Sequence, residues 1–99
     1  MSLKLLRTLK PDLIIKLDAG RPRIKCAKGV ADAIDLYVDR KDGTGFTLIG
    51  RLLKTDYIDT FNLPAATPLV DWDYKAMYVI GNDNVGLMSA IASILVKKL

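Results

Sequence analysis

The chain has 99 residues, of which 51% are apolar and 26% are charged, and it carries a formal net charge of +4. This balance is typical of one folded domain and argues against a disordered chain. The sequence contains no His, Glu or Gln and only one Cys, so it lacks the commonest acid-base groups and the usual zinc ligand, and it cannot form an internal disulfide.

The first segment, residues 1–11, is expected to be a linker or leader. Its leucines, Leu3, Leu5, Leu6 and Leu9, alternate with cations and are followed by Pro11. One or two turns of helix are the alternative, but isolated helices this short are marginal in water. The folded domain is therefore expected to span residues 12–99.

Turn-forming residues recur about every ten positions and divide this domain into seven short β-rich segments. We predict strands over residues 13–17, 23–27, 33–39, 46–52, 57–61, 72–80 and 90–96. In the third segment Ile34, Leu36 and Val38 alternate with Asp and Tyr, so the period of two identifies its inner face. A helix is the alternative for the last segment, because Ala90 and Ala92 suit one.

Two turns predict antiparallel hairpins. Asp42-Gly43 follows the third strand and tolerates positive φ. Gly81-Asn82-Asp83-Asn84 separates the last two apolar segments with residues that accept left-handed geometry. Together these features predict an all-β fold, a seven-stranded antiparallel β-sandwich of the immunoglobulin-like type.

Taken in order, the segments resemble a fibronectin type III module. The likeness lies in residues 31–38, 46–50, 56–60, 73–80 and 85–89, which include a Tyr-x-Asp-Thr segment and a Gly-x-x-Ser start to the seventh strand. The resemblance implies that Tyr74 is the corner tyrosine, whose hydroxyl bonds back to the preceding loop. The chain departs from the family at Cys26, where a core Trp is usual, and in the long loop over residues 62–70.

A closer likeness is to modules in uncharacterised bacterial proteins. These modules read Lys-Leu-Asp-Ala-Gly-Arg-Pro-Arg-Ile before the second strand, as residues 16–24 do, and Tyr-Lys-Ala-x-Tyr-Val-Ile in the sixth, as residues 74–80 do. In such proteins the module follows a separate N-terminal domain. The resemblance therefore implies a module within a larger bacterial protein.

Residues that could carry chemistry are few. Asp71 and Asp73 are spaced like a carboxylate pair of a glycosidase, but no acid-base partner lies near them in sequence, so we interpret them as solvated. Asp42-Gly43 suggests a calcium loop, yet Lys41 stands where an acidic ligand belongs. Cys26 has the parity of a buried residue and no His to activate it. We predict no catalytic residue, no cofactor and no metal site.

The cations indicate which partners to expect. Arg21, Arg23 and Lys25 share one face of the second strand, and we interpret this face as solvated and balanced by Asp59 on the fifth strand, with a phosphate-binding stripe as the alternative. No aromatic residue lies among them, and cations elsewhere are interleaved with Asp, so we expect no nucleic-acid binding. No apolar run reaches the roughly 18 residues of a membrane span, so we expect no membrane insertion. These patterns assign no compartment.

The outer face of the third, sixth and seventh predicted strands carries many apolar residues. The period of two places outward Tyr37, Met77, Val79, Ile91 and Leu95. Contiguous exposed apolar surface marks an interface, whereas scattered single residues are normal. We predict an interface for a protein: a neighbouring domain, a second copy in a weak homodimer, or another partner.

Two functions follow from these patterns. The first is a non-enzymatic structural or protein-interaction module, a spacer or docking domain of a larger bacterial protein. The alternative is a carbohydrate-binding β-sandwich module, in which Trp72, Tyr37 and loop Asp residues provide a stacking and hydrogen-bonding surface.

Overall fold

In the computed structural model, which describes residues 9–98, every regular element is a β-strand. The strands are β1 (Ile14–Asp18), β2 (Arg21–Lys25), β3 (Ala33–Asp39), β4 (Phe46–Leu52), β5 (Asp56–Ile58), β6 (Leu69–Ile80), β7 (Asp83–Val85) and β8 (Ala92–Lys97). Each pair of neighbouring strands is antiparallel. The prediction of an all-β fold is confirmed.

The strands form two sheets. The smaller has three strands in the order β1-β2-β5, and the larger has five, in the order β4-β3-β6-β7 with β8 also paired to β6. The long strand β6 pairs with β8 from Leu69 to Tyr74 and with β7 from Tyr78 to Ile80. The strands β7 and β8 are therefore two successive pieces of one sheet edge.

One core lies between the two sheets, as in a β-sandwich. Its buried residues come from the strands of both sheets and the loop after β2: Ile24, Cys26, Ile34, Leu36, Val38, Trp72, Tyr74, Ala76 and Val96. Ile15 and Tyr57 pack against this cluster from the smaller sheet. The buried indole of Trp72 supplies the large aromatic side chain that Cys26 does not.

The predicted strands correspond to observed ones, with one addition. Strands β3 and β4 occupy the predicted residues, and the other bounds differ by a few positions. The three-residue strand β7 was not predicted, because so short a segment directly after a turn shows no period. The turn at Gly81 does form a hairpin, but β6 pairs there with β7, whereas the last predicted strand corresponds to β8.

The hairpin between β1 and β2 turns on Ala19 and Gly20, which have φ values of 51° and 82°. Two consecutive positive φ values define the type I′ turn that suits the twist of paired strands. Gly20 adopts this geometry freely, but Ala19 does so at an energetic cost, because its Cβ crowds the backbone in the left-handed region. The turn brings Asp18 and Arg21 together as register partners.

The leader predicted over residues 1–11 lies mostly outside the described residues, so the domain boundary stays a prediction. At its end, the carbonyl oxygen of Leu9 accepts a hydrogen bond of 2.8 Å from the amide of Leu87. Pro11 is fully buried. The folded body of the chain therefore includes residues on both sides of the predicted boundary.

Candidate functional site

A buried carboxylate joins the two sheets at one end of the core. Asp59 follows β5 directly, and its Oδ2 accepts a hydrogen bond of 2.6 Å from the Tyr74 hydroxyl on β6. Arg40, which follows β3, donates to both carboxylate oxygens at 2.9 and 3.2 Å. The amide of Phe61 donates a further bond of 3.1 Å to Oδ1. Four hydrogen bonds thus satisfy a carboxylate that is almost fully buried.

Two aromatic rings enclose the Arg40 guanidinium. Its Cζ atom lies 4.1 Å from the centroid of the Phe61 ring and 4.4 Å from that of Trp72. The two rings meet edge to face at 6.0 Å. A planar guanidinium suits both the carboxylate and the ring faces. We call these five residues, Arg40, Asp59, Phe61, Trp72 and Tyr74, the corner cluster.

The corner cluster confirms one prediction and overturns another. The Tyr74 hydroxyl does bond to the loop that precedes β6, as the resemblance implies, although its acceptor is the Asp59 side chain. Burial, together with the neighbouring Asp59, raises the pKa of Tyr74 far above its ordinary value. The prediction that Asp59 balances the cations of β2 is wrong, because its side chain points between the sheets.

The cations of β2 are balanced by other carboxylates. Arg23 forms ion pairs with Asp18 on β1 at 2.9 Å and with Asp56 on β5 at 2.7 Å. Hydrogen bonds to Asp56 and then Asp18 raise the pKa of Arg23. Arg21 instead donates to two neutral oxygens, the carbonyl of Thr60 at 2.8 Å and Oδ1 of Asn62 at 3.2 Å. The face predicted for these cations is therefore correct, and within residues 9–98 Arg23 is the one of the three that pairs with carboxylates.

The outer face, the side of the larger sheet turned away from the core, carries a second buried carboxylate. Asp35 on β3 accepts two bonds of 2.9 and 3.0 Å from Arg51, its register partner on β4, and one of 2.8 Å from Asn84 on β7. The bonds from Arg51 hold the pKa of Asp35 below its ordinary value. Because β6 lies between β3 and β7, the bond from Asn84 crosses the outer face of β6.

This network explains why one predicted interface residue is not exposed. Val79 is the register partner of Asn84 and is fully buried, so the prediction that it forms part of an exposed patch is wrong. The period of two places Val79 outward correctly, but the Asn84 side chain that reaches Asp35 passes over the same part of β6. A pattern of residues along one strand does not reveal a cover supplied by another strand.

The remaining predicted interface residues fall into two groups. Met77 on β6 and Tyr37 on β3 are both half-buried. Met77 pairs with Asp35 and Tyr37 pairs with Lys75, so the two residues lie in successive rows of the same face and are adjacent. Leu95 is 42% exposed but pairs with Asp71, six residues before Met77 on β6. At roughly 3.3 Å per residue this places Leu95 about 20 Å from Met77 along the strand. Leu95 therefore does not form a continuous patch with the others.

Ile91 belongs to the group around Lys75. It lies between Ser89, whose amide bonds to the carbonyl of Ala76 at 2.8 Å, and Ala92, the register partner of Tyr74. Ala90 and Ile91 therefore both lie opposite Lys75, and 57% of the surface of Ile91 is exposed.

Sequence reasoning missed Leu48, which is the register partner of Tyr37 and is 53% exposed. A register shift between Leu36 and Tyr37 changes the pairing with β4, and no pattern in the sequence predicts this shift. Leu48, Tyr37 and Lys75 thus form one row across three strands. We call Leu48, Tyr37, Met77 and Ile91 the outer-face patch.

Charged residues flank the outer-face patch on two sides. Asp35 and Arg51 lie in the row of Met77. On the other side, Asp73 on β6 bonds to Lys41 at 2.6 Å and accepts from the Ser93 hydroxyl at 2.5 Å. Lys41, and then Ser93, lower the pKa of Asp73. The patch is therefore a mainly apolar surface that surrounds Lys75 and lies between two polar borders.

The residues considered for chemistry have other surroundings. Cys26 is buried, and burial raises the pKa of its thiol to about 11, so the thiolate needed for nucleophilic attack is scarce at neutral pH. Asp71 is exposed, whereas Asp73 is engaged with Lys41 and Ser93. Within residues 9–98 no three His, Cys, Asp or Glu side chains are placed to hold a metal ion.

Comparison of the chain with protein-family models, with curated proteins and with solved structures finds no match. A helix long and apolar enough to cross a membrane does not occur between residues 9 and 98. Any function must therefore be argued from the residues and their geometry.

Proposed function

We propose that the chain is a fibronectin type III-like module that acts without catalysis, as a spacer or docking domain of a larger bacterial protein. We further propose that the outer-face patch is its contact surface for protein. The observation that carries the proposal is the apolar side chains of the outer-face patch, which surround Lys75 and have polar borders on both sides. An apolar centre with a polar rim is the usual anatomy of a protein interface.

The strand order supports the family part of the proposal. In immunoglobulin-like sandwiches the first, second and fifth strands share one sheet, and the third, sixth and seventh share the other. The sheets β1-β2-β5 and β3-β6-β7/β8 agree with that division. Strand β4 lies beside β3 and not beside β5, which separates the chain from the immunoglobulin constant arrangement. The bond from Tyr74 to the preceding loop is a further point of agreement.

The use of the charged residues supports a role without catalysis. Asp18, Asp35, Asp56, Asp59 and Asp73 each bond to a cation that lies on another strand or loop. These pairs fix strand to strand, and the carboxylates that they use are not free for proton transfer. The sequence contains neither His nor Glu to replace them.

The main aromatic residue of the carbohydrate-binding alternative, Trp72, is not available to stack on a sugar. Trp72 is covered by Arg40 and Phe61 and is almost fully buried, so its indole presents no free face to a sugar ring. Tyr37 is half-buried within the outer-face patch. No observation in the structure favours this alternative over a protein partner.

Sedimentation velocity tests the proposal, with a second copy of the chain as the partner. We expect the isolated chain to show weak, concentration-dependent dimerisation, and Leu48→Lys to abolish it, because charge at the centre of an apolar interface is poorly tolerated. Leu53→Lys is the matched control, since Leu53 is also exposed but lies beyond β4. A wild-type chain that stays monomeric at millimolar concentration, or equal loss in both variants, would contradict the proposal.

A further inference from the structure

A cleft of about 220 Å³ opens at the end of the sandwich where β2 begins and β8 ends. Three cationic residues, Arg21, Lys97 and Lys98, line this cleft together with Phe61, Asn62 and Leu63. No Asp of residues 9–98 is among the residues that line the cleft. Three of the 15 Lys and Arg residues of the chain therefore line one cleft.

The positive charge of the cleft is not neutralised within residues 9–98. Arg21 donates to the Thr60 carbonyl and to Asn62, and Lys98 donates to the carbonyl of Ala65 at 2.9 Å. All of these acceptors are uncharged. By contrast, the guanidinium groups of Arg23, Arg40 and Arg51 each bond to a carboxylate. Asp18, the register partner of Arg21, bonds to Arg23 instead.

The bonds to neutral oxygens also fix the cations in place. Arg21 holds the beginning of the loop between β5 and β6, and Lys98 holds its later part through Ala65 and through its own amide, which bonds to the Pro68 carbonyl at 2.8 Å. Two of the three cations are therefore positioned before any ligand arrives. Preorganised charges lose less conformational freedom on binding than mobile ones do.

We propose that this cleft binds carboxylate side chains of an acidic protein segment. This proposal rests on the proposed function in one respect, that the partner is a protein. The surface that it concerns is distinct from the outer-face patch. The volume is below the roughly 300 Å³ of the smallest common small-molecule pockets, so the cleft suits one or two side chains. The apolar walls from Phe61 and Leu63 accommodate the methylene groups of such side chains.

Charges beside the cleft favour an acidic peptide over a nucleic acid. Asp18 faces Arg21 across the β1–β2 hairpin, and Asp71 lies two residues from Leu69, the register partner of Lys97. A phosphate backbone needs a continuous positive track and several stacking platforms. The carboxylates on either side interrupt such a track, whereas a short acidic segment needs only the three central cations.

An NMR titration of the isotopically labelled chain with a capped hexaglutamate peptide tests the proposal. We expect saturable shifts at the amides of Asn62, Leu63 and Lys97, weakening as salt is raised, and no shifts with the matched hexaglutamine peptide. Lys97→Glu should weaken binding about fivefold or more, as loss of one to two exposed ion pairs predicts. Lys54→Glu, the control with the same change in net charge, should weaken it less than about twofold.

Three results would overturn the proposal: absence of saturable binding at low salt, equal weakening in both variants, or tighter binding of inorganic phosphate or an oligothymidylate at the same amides. Leu48→Lys provides the link to the proposed function, because it should remove dimerisation and leave the peptide titration unchanged. Failure of dimerisation would therefore leave the cleft proposal standing, and failure of the titration would leave the outer-face patch standing.

Discussion

Asp59 and Asp35 are both nearly excluded from solvent and both held by an arginine, yet they lie in different parts of the molecule. Asp59 lies between the two sheets, and its partner Arg40 has only 14% of its side chain exposed. Asp35 lies on the outer face of one sheet, and the side chain of Arg51 is 40% exposed. The first carboxylate joins two sheets, whereas the second fastens strands within one sheet.

This difference determines how much each carboxylate should contribute to stability. A buried pair is costly to break because the remaining partner keeps its charge in a medium of low dielectric constant. When the partner is partly exposed, water takes over much of its solvation after the pair is broken. The corner cluster should therefore tolerate substitution far less well than the network around Asp35.

The largest effect is expected from Asp59→Asn. The variant leaves Arg40 charged between Phe61 and Trp72 with no anion, so the free energy of unfolding should fall by about 3 kcal/mol or more. Urea denaturation measures this change. Asp56→Asn is the control, because it breaks the exposed pair with Arg23 and should lower the free energy of unfolding far less than Asp59→Asn does. Equal losses would show that the difference in burial between Asp59 and Asp56 does not determine how much each carboxylate contributes to stability.

Tyr74→Phe should have the next largest effect. It removes the hydroxyl that donates to Asp59 at 2.6 Å and should lower the free energy of unfolding by roughly 1 to 3 kcal/mol. The denaturant midpoint of the variant measures the loss. Tyr37→Phe, on the outer face, should stay within about 0.5 kcal/mol of the wild type. An unchanged midpoint for Tyr74→Phe would mean that its hydroxyl is solvated.

Asp35→Asn should produce a moderate loss, about 1 to 2 kcal/mol at neutral pH, and a change in acid stability. The pKa of Asp35 is lowered in the folded chain, so its contribution is present above the unfolded value of about 4 and is lost as pH falls through the folded value. As the pH is lowered, the free energy of unfolding of the variant should therefore fall less steeply than that of the wild type. Asp42, Asp56 and Asp73, whose pKa values are also lowered, should retain the rest of the slope.

The smallest effect is expected from Lys41→Gln. Its ammonium pairs with Asp73, but the Lys41 side chain is largely exposed, so the ion pair is screened by water and salt. Thermal or urea unfolding should show a smaller loss of stability for this variant than for Asp35→Asn. A loss as large as that of Asp35→Asn would contradict the relation between exposure and stability.

Much of the fold could be predicted because its signals are local. The alternation in β3 and the Asp42-Gly43 turn fixed two strands and their hairpin, and the parity of Cys26 correctly indicated a buried thiol. Such features depend only on the period of two and on backbone conformation.

The parts that escaped prediction depend on contacts between distant segments. Asp59 was assigned to a solvated face because its bonds to Arg40 and Tyr74 span 19 and 15 residues. Val79 was placed in an exposed patch because its cover comes from Asn84 on another strand. Leu48 was overlooked because the register shift opposite it has no signature in the sequence. The period of two along a strand predicts the direction of each side chain, but it does not predict which residues of other strands cover that side chain.

A dilution series followed by amide NMR tests whether the outer-face patch is a protein contact surface. We expect shifts dependent on concentration at Leu48, Tyr37, Met77 and Ile91, whereas the amides of β1 and β5 should not move. Shifts confined to the smaller sheet, or spectra independent of concentration up to about the millimolar range of weak association, would contradict it.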